Sequence, residues 1–94
     1  MKNLDIWKNL IKEVMDADVK YNDKVSIFVA QGNGYVVIEH EQGGLQLQFR
    51  NSLDHADIVT TEDIVVHGKM ISEITDNNCD DIKTILAEFC KKNK

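Results

Sequence analysis

The sequence predicts an α+β fold in which an N-terminal helix precedes a three-stranded antiparallel meander and then one or two C-terminal helices (α-β-β-β-α-α). Three observations support this order: an apolar stripe at helical spacing near the N-terminus, three apolar-rich runs separated by glycine turns, and a second helical stripe near the C-terminus. The composition, 43% hydrophobic and 29% charged, is that of a globular protein. A chain of 94 residues is expected to form one domain, spanning 1–94, with a modest core.

The first helix is predicted over Leu4 to Ala17, where apolar side chains fill about half of the helical circle. Asn3 can cap its start, and Asp5 suits the positive N-terminal end of a helix. Trp7 lies in the middle of the apolar stripe and is therefore expected in the core. Because the stripe is wider than one sheet contact requires, we expect the final helix or a second subunit to cover part of it.

The meander occupies residues 24–50 and consists of three runs and two turns: KVSIFVA, QGNG, YVVIEHE, QGG and LQLQFR. The Asn33-Gly34 pair lies between two apolar runs, and both residue types tolerate the positive φ angles that tight hairpins need. The third run alternates most clearly between inward and outward side chains: Leu45, Leu47 and Phe49 against Gln46, Gln48 and Arg50. A shift of one residue would bury the two glutamines and the arginine, so the pattern specifies the register.

Residues 58–75 permit two interpretations. Thr60 and Asp63 have the spacing of a capping box at a helix start, and isoleucines follow at helical intervals. We therefore predict a helix over about 61–74, which Gly68 weakens by about 1 kcal/mol relative to alanine. The alternative is a fourth strand at Ile64 to His67, with a turn at 67–69.

The last helix is predicted to begin after residues 76–78. Its charged residues complement the helix dipole, with acids in the first turn and lysines in the last: Asp80, Asp81, Lys91 and Lys92. Cys79 and Cys90 would lie about 16 Å apart along this helix, whereas a disulfide requires Cα atoms within about 7 Å. We therefore expect two reduced thiols.

The net charge of −5 is unevenly distributed along the chain. Residues 1–38 are neutral, whereas residues 39–88 carry eleven acids and three cations, a balance of −8. Direct nucleic-acid binding is disfavoured because phosphates require clustered cations, and a basic protein partner is favoured instead. No apolar run approaches the roughly 20 residues of a membrane span, so we expect no membrane contact and a cytoplasmic location.

Six carboxylates of the acidic segment are candidate partner-binding residues: Glu39, Glu41, Asp54, Asp57, Glu62 and Asp63. The two glutamates project together from the second strand, and the others can extend the same patch. The alternative is an acidic surface that serves only solubility.

No residue pattern supports catalysis, so the chain is not expected to be an enzyme and no cofactor is expected. Asp54, His55 and Asp57 together offer oxygen and nitrogen ligands that suit several divalent metals. Loops of this composition are commonly only solvated, and no metal site is predicted there. His40 is expected to share a strand face with Val36 and Ile38.

These observations favour a small acidic protein-binding inhibitor or immunity-type protein that occludes a basic site on a nucleic-acid-handling enzyme, such as a nuclease or toxin. Phage-encoded inhibitors of host defence nucleases and immunity proteins against toxins are often small and acidic, an analogy of size and charge alone. The alternative is a dimeric chaperone or scaffold module, a homodimer that uses apolar faces of the first helix and the sheet. A small enzyme or ligand-binding domain ranks last.

Overall fold

The computed structural model of the protein describes residues 4–20 and 27–93. Its elements in chain order are helix α1 (Leu4–Met15), strands β1 (Ile27–Gln31), β2 (Gly34–Glu41), β3 (Gly44–Arg50) and β4 (Ile58–Asp63), strands β5 (Val65–Val66) and β6 (Lys69–Met70), and helix α2 (Cys79–Lys92). A single 3₁₀ turn, His55–Asp57, lies between β3 and β4. The α+β class is as predicted, and the single C-terminal helix lies within the predicted one or two, whereas the main sheet has four strands rather than three.

Strands β1 to β4 form one antiparallel sheet in sequence order. Within it, Val36 pairs with Phe49 and Ile38 pairs with Leu47, which is the register that the alternation of the third run predicts. Strand β4 extends the predicted three-stranded sheet, and Gln48 of β3 pairs with Thr61 of β4. A bulge between β3 and β4 shifts the pairing near Arg50.

The predicted helix over 61–74 is wrong. This segment forms the end of β4 and the hairpin of β5 and β6, whose turn has His67 at φ 54° and Gly68 at φ 77°. The β-branched residues of β4 favour an extended backbone, and a glycine suits the left-handed turn. Ile64 and Ile74 are both fully buried but come from separate non-helical stretches, so their helical spacing is coincidental. The alternative interpretation placed the turn correctly and the main fourth strand too late.

The hairpin between β1 and β2 forms as predicted, but the positive φ of 57° falls on Gly32 rather than on the Asn33-Gly34 pair. Gly34 instead begins β2, where a Cβ atom would lie 2.4 Å from the carbonyl oxygen of Arg50. Glycine is required at this position because β3 passes too close for any side chain.

Both helices pack on one face of the sheet, called the helix face below. The buried core between them is apolar: Trp7, Leu10, Ile11, Ile27, Val29, Val36, Ile38, Leu45, Leu47, Ile64, Ile74, Ile82, Leu86, Phe89 and Cys90. Helix α2 covers the part of the α1 stripe that the sheet leaves open, so a second subunit is not needed for that purpose.

Trp7 is a core residue, as predicted, with no exposed surface. Its indole Nε1 has no hydrogen-bond partner within the described residues. The indole therefore contributes to the core through apolar contact rather than through its polar group.

Helix α1 ends at Met15, two residues earlier than predicted, because Asp16 adopts a left-handed φ of 51°. The expected cap at Asn3 and the start of the first strand at 24–26 lie outside the described residues. Helix α2 begins and ends as predicted, and Cys79 and Cys90 are both free thiols. Burial raises the pKa of the Cys90 thiol to about 11. Neither described helix is long and apolar enough to cross a membrane.

Candidate functional site

The sheet face opposite the helices, called the outer face, combines a small apolar cluster with a row of polar side chains. Phe28 and Val37 are buried there, and Tyr35 and Leu53 pack against them. The polar row comes from alternate positions of β2, β3 and β4: Glu39, Glu41, Gln46, Gln48, Arg50 and Asp63. Because side chains alternate along a strand, all of these residues project from the same side of the sheet.

Arg50, the last residue of β3, makes several of the hydrogen bonds on the outer face and exposes only 1% of its surface. Its Nη2 lies 2.5 Å from Glu39 Oε2, and its Nε donates to Gln48 Oε1 at 2.9 Å. Its Nη1 donates to the carbonyl oxygen of Leu53 at 3.0 Å. One guanidinium therefore joins β2, β3 and the loop that follows β3. The Glu39 carboxylate compensates the charge that this burial removes from water.

A row of hydrogen bonds continues from Arg50 across the sheet. Gln48 Nε2 donates to Gln46 Oε1 at 2.9 Å, and Gln46 Nε2 donates to Asp63 Oδ1 at 3.0 Å. Gln48 also exposes only 1% of its surface, although the sequence pattern assigns it to the outward side. The row fixes the positions of side chains that would otherwise be mobile in solvent.

The loop of residues 51–57 lies across part of the outer face. Asp54 Oδ1 accepts a hydrogen bond from the Ala56 amide at 2.9 Å, and Ser52 Oγ donates to Asp57 Oδ2 at 2.5 Å. Both aspartates remain exposed. A cleft of about 480 Å³ is lined by Arg50, Leu53, Asp54 and His55.

This loop brings His55 next to the carboxylates of β2. Glu39, Glu41 and His55 each offer one ligand atom, and these three atoms lie within 4.8 Å of one another. The sequence grouped His55 with its neighbours Asp54 and Asp57, whereas the fold sets the imidazole beside residues that are distant in the chain. His40, which lies between the two glutamates in sequence, is exposed and points to the opposite side of the sheet.

Of the six predicted partner-binding carboxylates, Glu39, Glu41 and Asp63 project from the outer face, and Asp54 and Asp57 belong to the loop that lies across part of it. With Arg50 they carry a formal charge of −4. Glu62 is separated from them because it points to the helix face, where its Oε1 lies 3.7 Å from Lys92 Nζ.

Sequence reasoning missed the roles of Arg50 and Gln48 in this site, and it grouped His55 with other neighbours than the glutamates that it meets. The available signal was the apolar character of the outward positions Phe28 and Val37, together with Leu53 in an otherwise polar loop. Three apolar residues on the supposedly solvent-facing side indicate that part of the chain folds over it.

The apolar surfaces that suggested a dimer are partly covered by the chain itself. Leu10 and Ile11 of the α1 stripe are buried in the core, and Phe28 and Val37 on the outer face are buried beneath Leu53. The exposed large apolar side chains in the described ranges are Val59, Val65 and Met70, on β4 and the hairpin that follows it.

Comparisons of the chain with protein-family models, with curated proteins and with solved structures found no match, so its function has to be argued from the side chains themselves.

Proposed function

We propose that the protein is a small acidic inhibitor or immunity-type protein whose outer face occludes a basic site on a nucleic-acid-handling enzyme. The observation that carries this proposal is the set of five carboxylates on the outer face and its loop, which with the buried Arg50 have a formal charge of −4. A compact acidic surface of this kind attracts a cleft lined by lysine and arginine. The attraction also accelerates the encounter between the two proteins.

The fixed positions of these carboxylates support binding rather than simple solubility. Glu39 is held by Arg50, Asp63 accepts from Gln46, and Asp57 accepts from Ser52. Side chains that are already ordered lose less conformational entropy when a partner binds, so more of the electrostatic attraction contributes to affinity. A surface used only for solubility has no need of such bonds.

The spacing of the carboxylates also suits a partner that normally binds a nucleic-acid strand. Glu39 and Glu41 are two residues apart on β2, a separation of about 6.6 Å along a strand. Exposed Glu41 lies beside the loop that carries Asp54 and Asp57. The group thus presents several negative charges at short intervals on a rigid support, as a phosphate backbone does.

The proposal is tested by replacing four carboxylates with their amides in one variant: Glu41→Gln, Asp54→Asn, Asp57→Asn and Asp63→Asn. Each amide keeps a side-chain oxygen that accepts the existing hydrogen bonds, so the fold is preserved while four charges are lost. The wild-type protein is used to capture its partner from the cell in which it is made, and the captured enzyme is assayed with a nucleic-acid substrate. We expect the wild type to inhibit that enzyme and the four-amide variant to bind at least about 100-fold more weakly.

The matched control removes four exposed charges from the two helices and the turn before α2 instead: Asp5→Asn, Asp76→Asn, Asp80→Asn and Glu88→Gln. This variant has the same net charge as the first, and we expect its affinity to stay within about threefold of the wild type. Equal weakening by both variants would show that only overall charge matters. Retention of full inhibition by the outer-face variant would refute the proposal.

A further inference from the structure

We propose that Glu39, Glu41 and His55 bind one divalent transition-metal ion, of which Zn²⁺ is the best match. The site shares Glu39 and Glu41 with the proposed partner-binding surface, but metal binding is measured on the isolated chain, so either proposal can fail without the other. The observation is the convergence of three ligand atoms within 4.8 Å from two distant parts of the sequence.

The chemistry of the three donors selects the class of metal. An imidazole nitrogen with two carboxylate oxygens suits zinc and its neighbours among the transition metals, whereas calcium and magnesium prefer oxygen donors alone. Three protein ligands would leave one position of a tetrahedral zinc ion for solvent. The exposure of Glu41 and His55 gives an ion direct access from solution.

The distances fit a small ion after the side chains rotate. Two donors at about 2.1 Å from a tetrahedral zinc ion lie about 3.4 Å apart, so a pair at the 4.8 Å limit would need to close by about 1.4 Å. Glu41 and His55 are exposed, and rotation of their side chains allows a movement of this size. No ion pair joins His55 to a carboxylate within 4.0 Å in the described part of the chain, so the gap between the donors is not closed by direct contact.

The supporting structure holds the donors in place without using them fully. Arg50 contacts Oε2 of Glu39, and no described residue donates a hydrogen bond to the other oxygen. Arg50 also binds the carbonyl oxygen of Leu53, two residues before His55, which fixes the loop above β2. The imidazole of His55 has no hydrogen-bond partner among residues 4–20 and 27–93, so both of its nitrogens are available.

The local charge favours a cation despite the neighbouring arginine. The five carboxylates of the outer face and its loop, together with Arg50, carry a formal charge of −4, and a divalent ion would reduce this excess. Within the described ranges Glu41 accepts a single hydrogen bond, a long one of 3.4 Å from Gln48 Nε2, so coordination of a metal ion would disrupt little.

The test is a calorimetric titration of the tag-free protein with zinc chloride. A Cys79→Ser background is used because the half-buried thiol is a competing zinc ligand. We expect saturable binding of one ion per chain, and His55→Ala and Glu41→Gln should each weaken it at least about tenfold, the range seen when a metal site loses a supporting group. Substitution of Co²⁺ for Zn²⁺ should give visible absorption bands that His55→Ala removes.

The matched control is His40→Ala, which removes an exposed imidazole from the same strand but from the opposite side of the sheet. We expect this variant to bind zinc like its parent. Both mutated residues are exposed, so far-UV circular dichroism without metal should be unchanged. Zinc binding that survives His55→Ala, or that is lost equally in His40→Ala, would overturn the proposal, as would the absence of binding at about 1 mM zinc.

Discussion

The two faces of the sheet are both partly buried, but the chain buries them by different means. On the helix face, apolar side chains of the sheet such as Ile38 and Leu47 pack against α1 and α2. On the outer face, Arg50 and Gln48 are just as inaccessible, but they are held by hydrogen bonds, one of which joins Arg50 to the loop after β3. The helix face is stabilised by contact area, and the outer face by the pairing of polar groups.

This difference determines how each face responds to change. An apolar core tolerates substitutions that preserve volume, and it loses stability in proportion to the volume removed. In a buried polar network the loss of stability does not scale with the volume removed. Removing one member leaves the buried groups that it paired with without partners. The outer face should therefore be the more specific structure and the helix face the more stable one.

Truncation in the core should give the largest loss of stability. Leu47→Ala removes a fully buried side chain from the centre of the helix face. We expect the free energy of unfolding to fall by about 3 kcal/mol, because the variant loses apolar burial and leaves a cavity. Urea denaturation followed by circular dichroism measures this change. Leu47→Met, which keeps the volume, is the control and should cost less than about 1.5 kcal/mol.

Breaking the polar network should have the next largest effect. Arg50→Met leaves Glu39 and the Gln48 side-chain oxygen without their donor, and we expect a loss of about 2–3 kcal/mol in urea denaturation. The double variant Glu39→Met/Arg50→Met removes both charges and should recover about half of that loss, since no unpaired charge remains. A double variant less stable than Arg50→Met alone would contradict a compensating ion pair.

The two thiols compare the interior of the core with its margin, and substituting them should change stability at neutral pH less than the variants above. Cys90 is buried and its pKa is raised to about 11, whereas Cys79 is half-buried. At pH 8 we expect a thiol reagent to modify Cys79 at least about tenfold faster, because the thiolate is the reactive form. The rate of modification is measured in Cys79→Ser and Cys90→Ala variants, each of which retains one thiol. Equal rates in the two variants would contradict the burial of Cys90.

The raised pKa of Cys90 makes the stability of the protein change with pH in the alkaline range. Between about pH 9 and pH 11 the unfolded chain has lost the Cys90 proton while the folded chain keeps it, so the free energy of unfolding falls as pH rises. Cys90→Ala should show a smaller fall across this range than the parent. Cys79→Ser provides the comparison for other groups that titrate there.

The helix face was largely predictable from the sequence because both of its patterns are regular. The stripe around Trp7 and the alternation at Leu45 and Leu47 each repeat with the period of one element, and each buries one face. The irregular region after β3 was not predictable in this way. Ile64 and Ile74 are buried by separate turns of the chain, and spacing alone cannot distinguish two independent contacts from one helical face.

The outer face was only half predictable for a different reason. Alternation assigns Gln48 and Arg50 to the side away from the core, which is correct, but it does not reveal what covers them. Arg50 contacts the loop at Leu53, and the path of that loop is set by tertiary contacts. The meeting of His55 with Glu39 likewise depends on that path and has no counterpart in the spacing of the sequence.

Because Trp7 is buried in the core between the helices and the sheet, its fluorescence reports on that core and not on the outer face. It is the single tryptophan of the chain, and its indole is fully buried in the core with no hydrogen-bond partner among the residues that the structure describes. Its fluorescence should therefore be blue-shifted and resistant to quenching by acrylamide, and it should report the loosening of the helices while remaining silent to changes around Arg50. Intrinsic emission can thus separate damage to the scaffold from damage to the acidic surface.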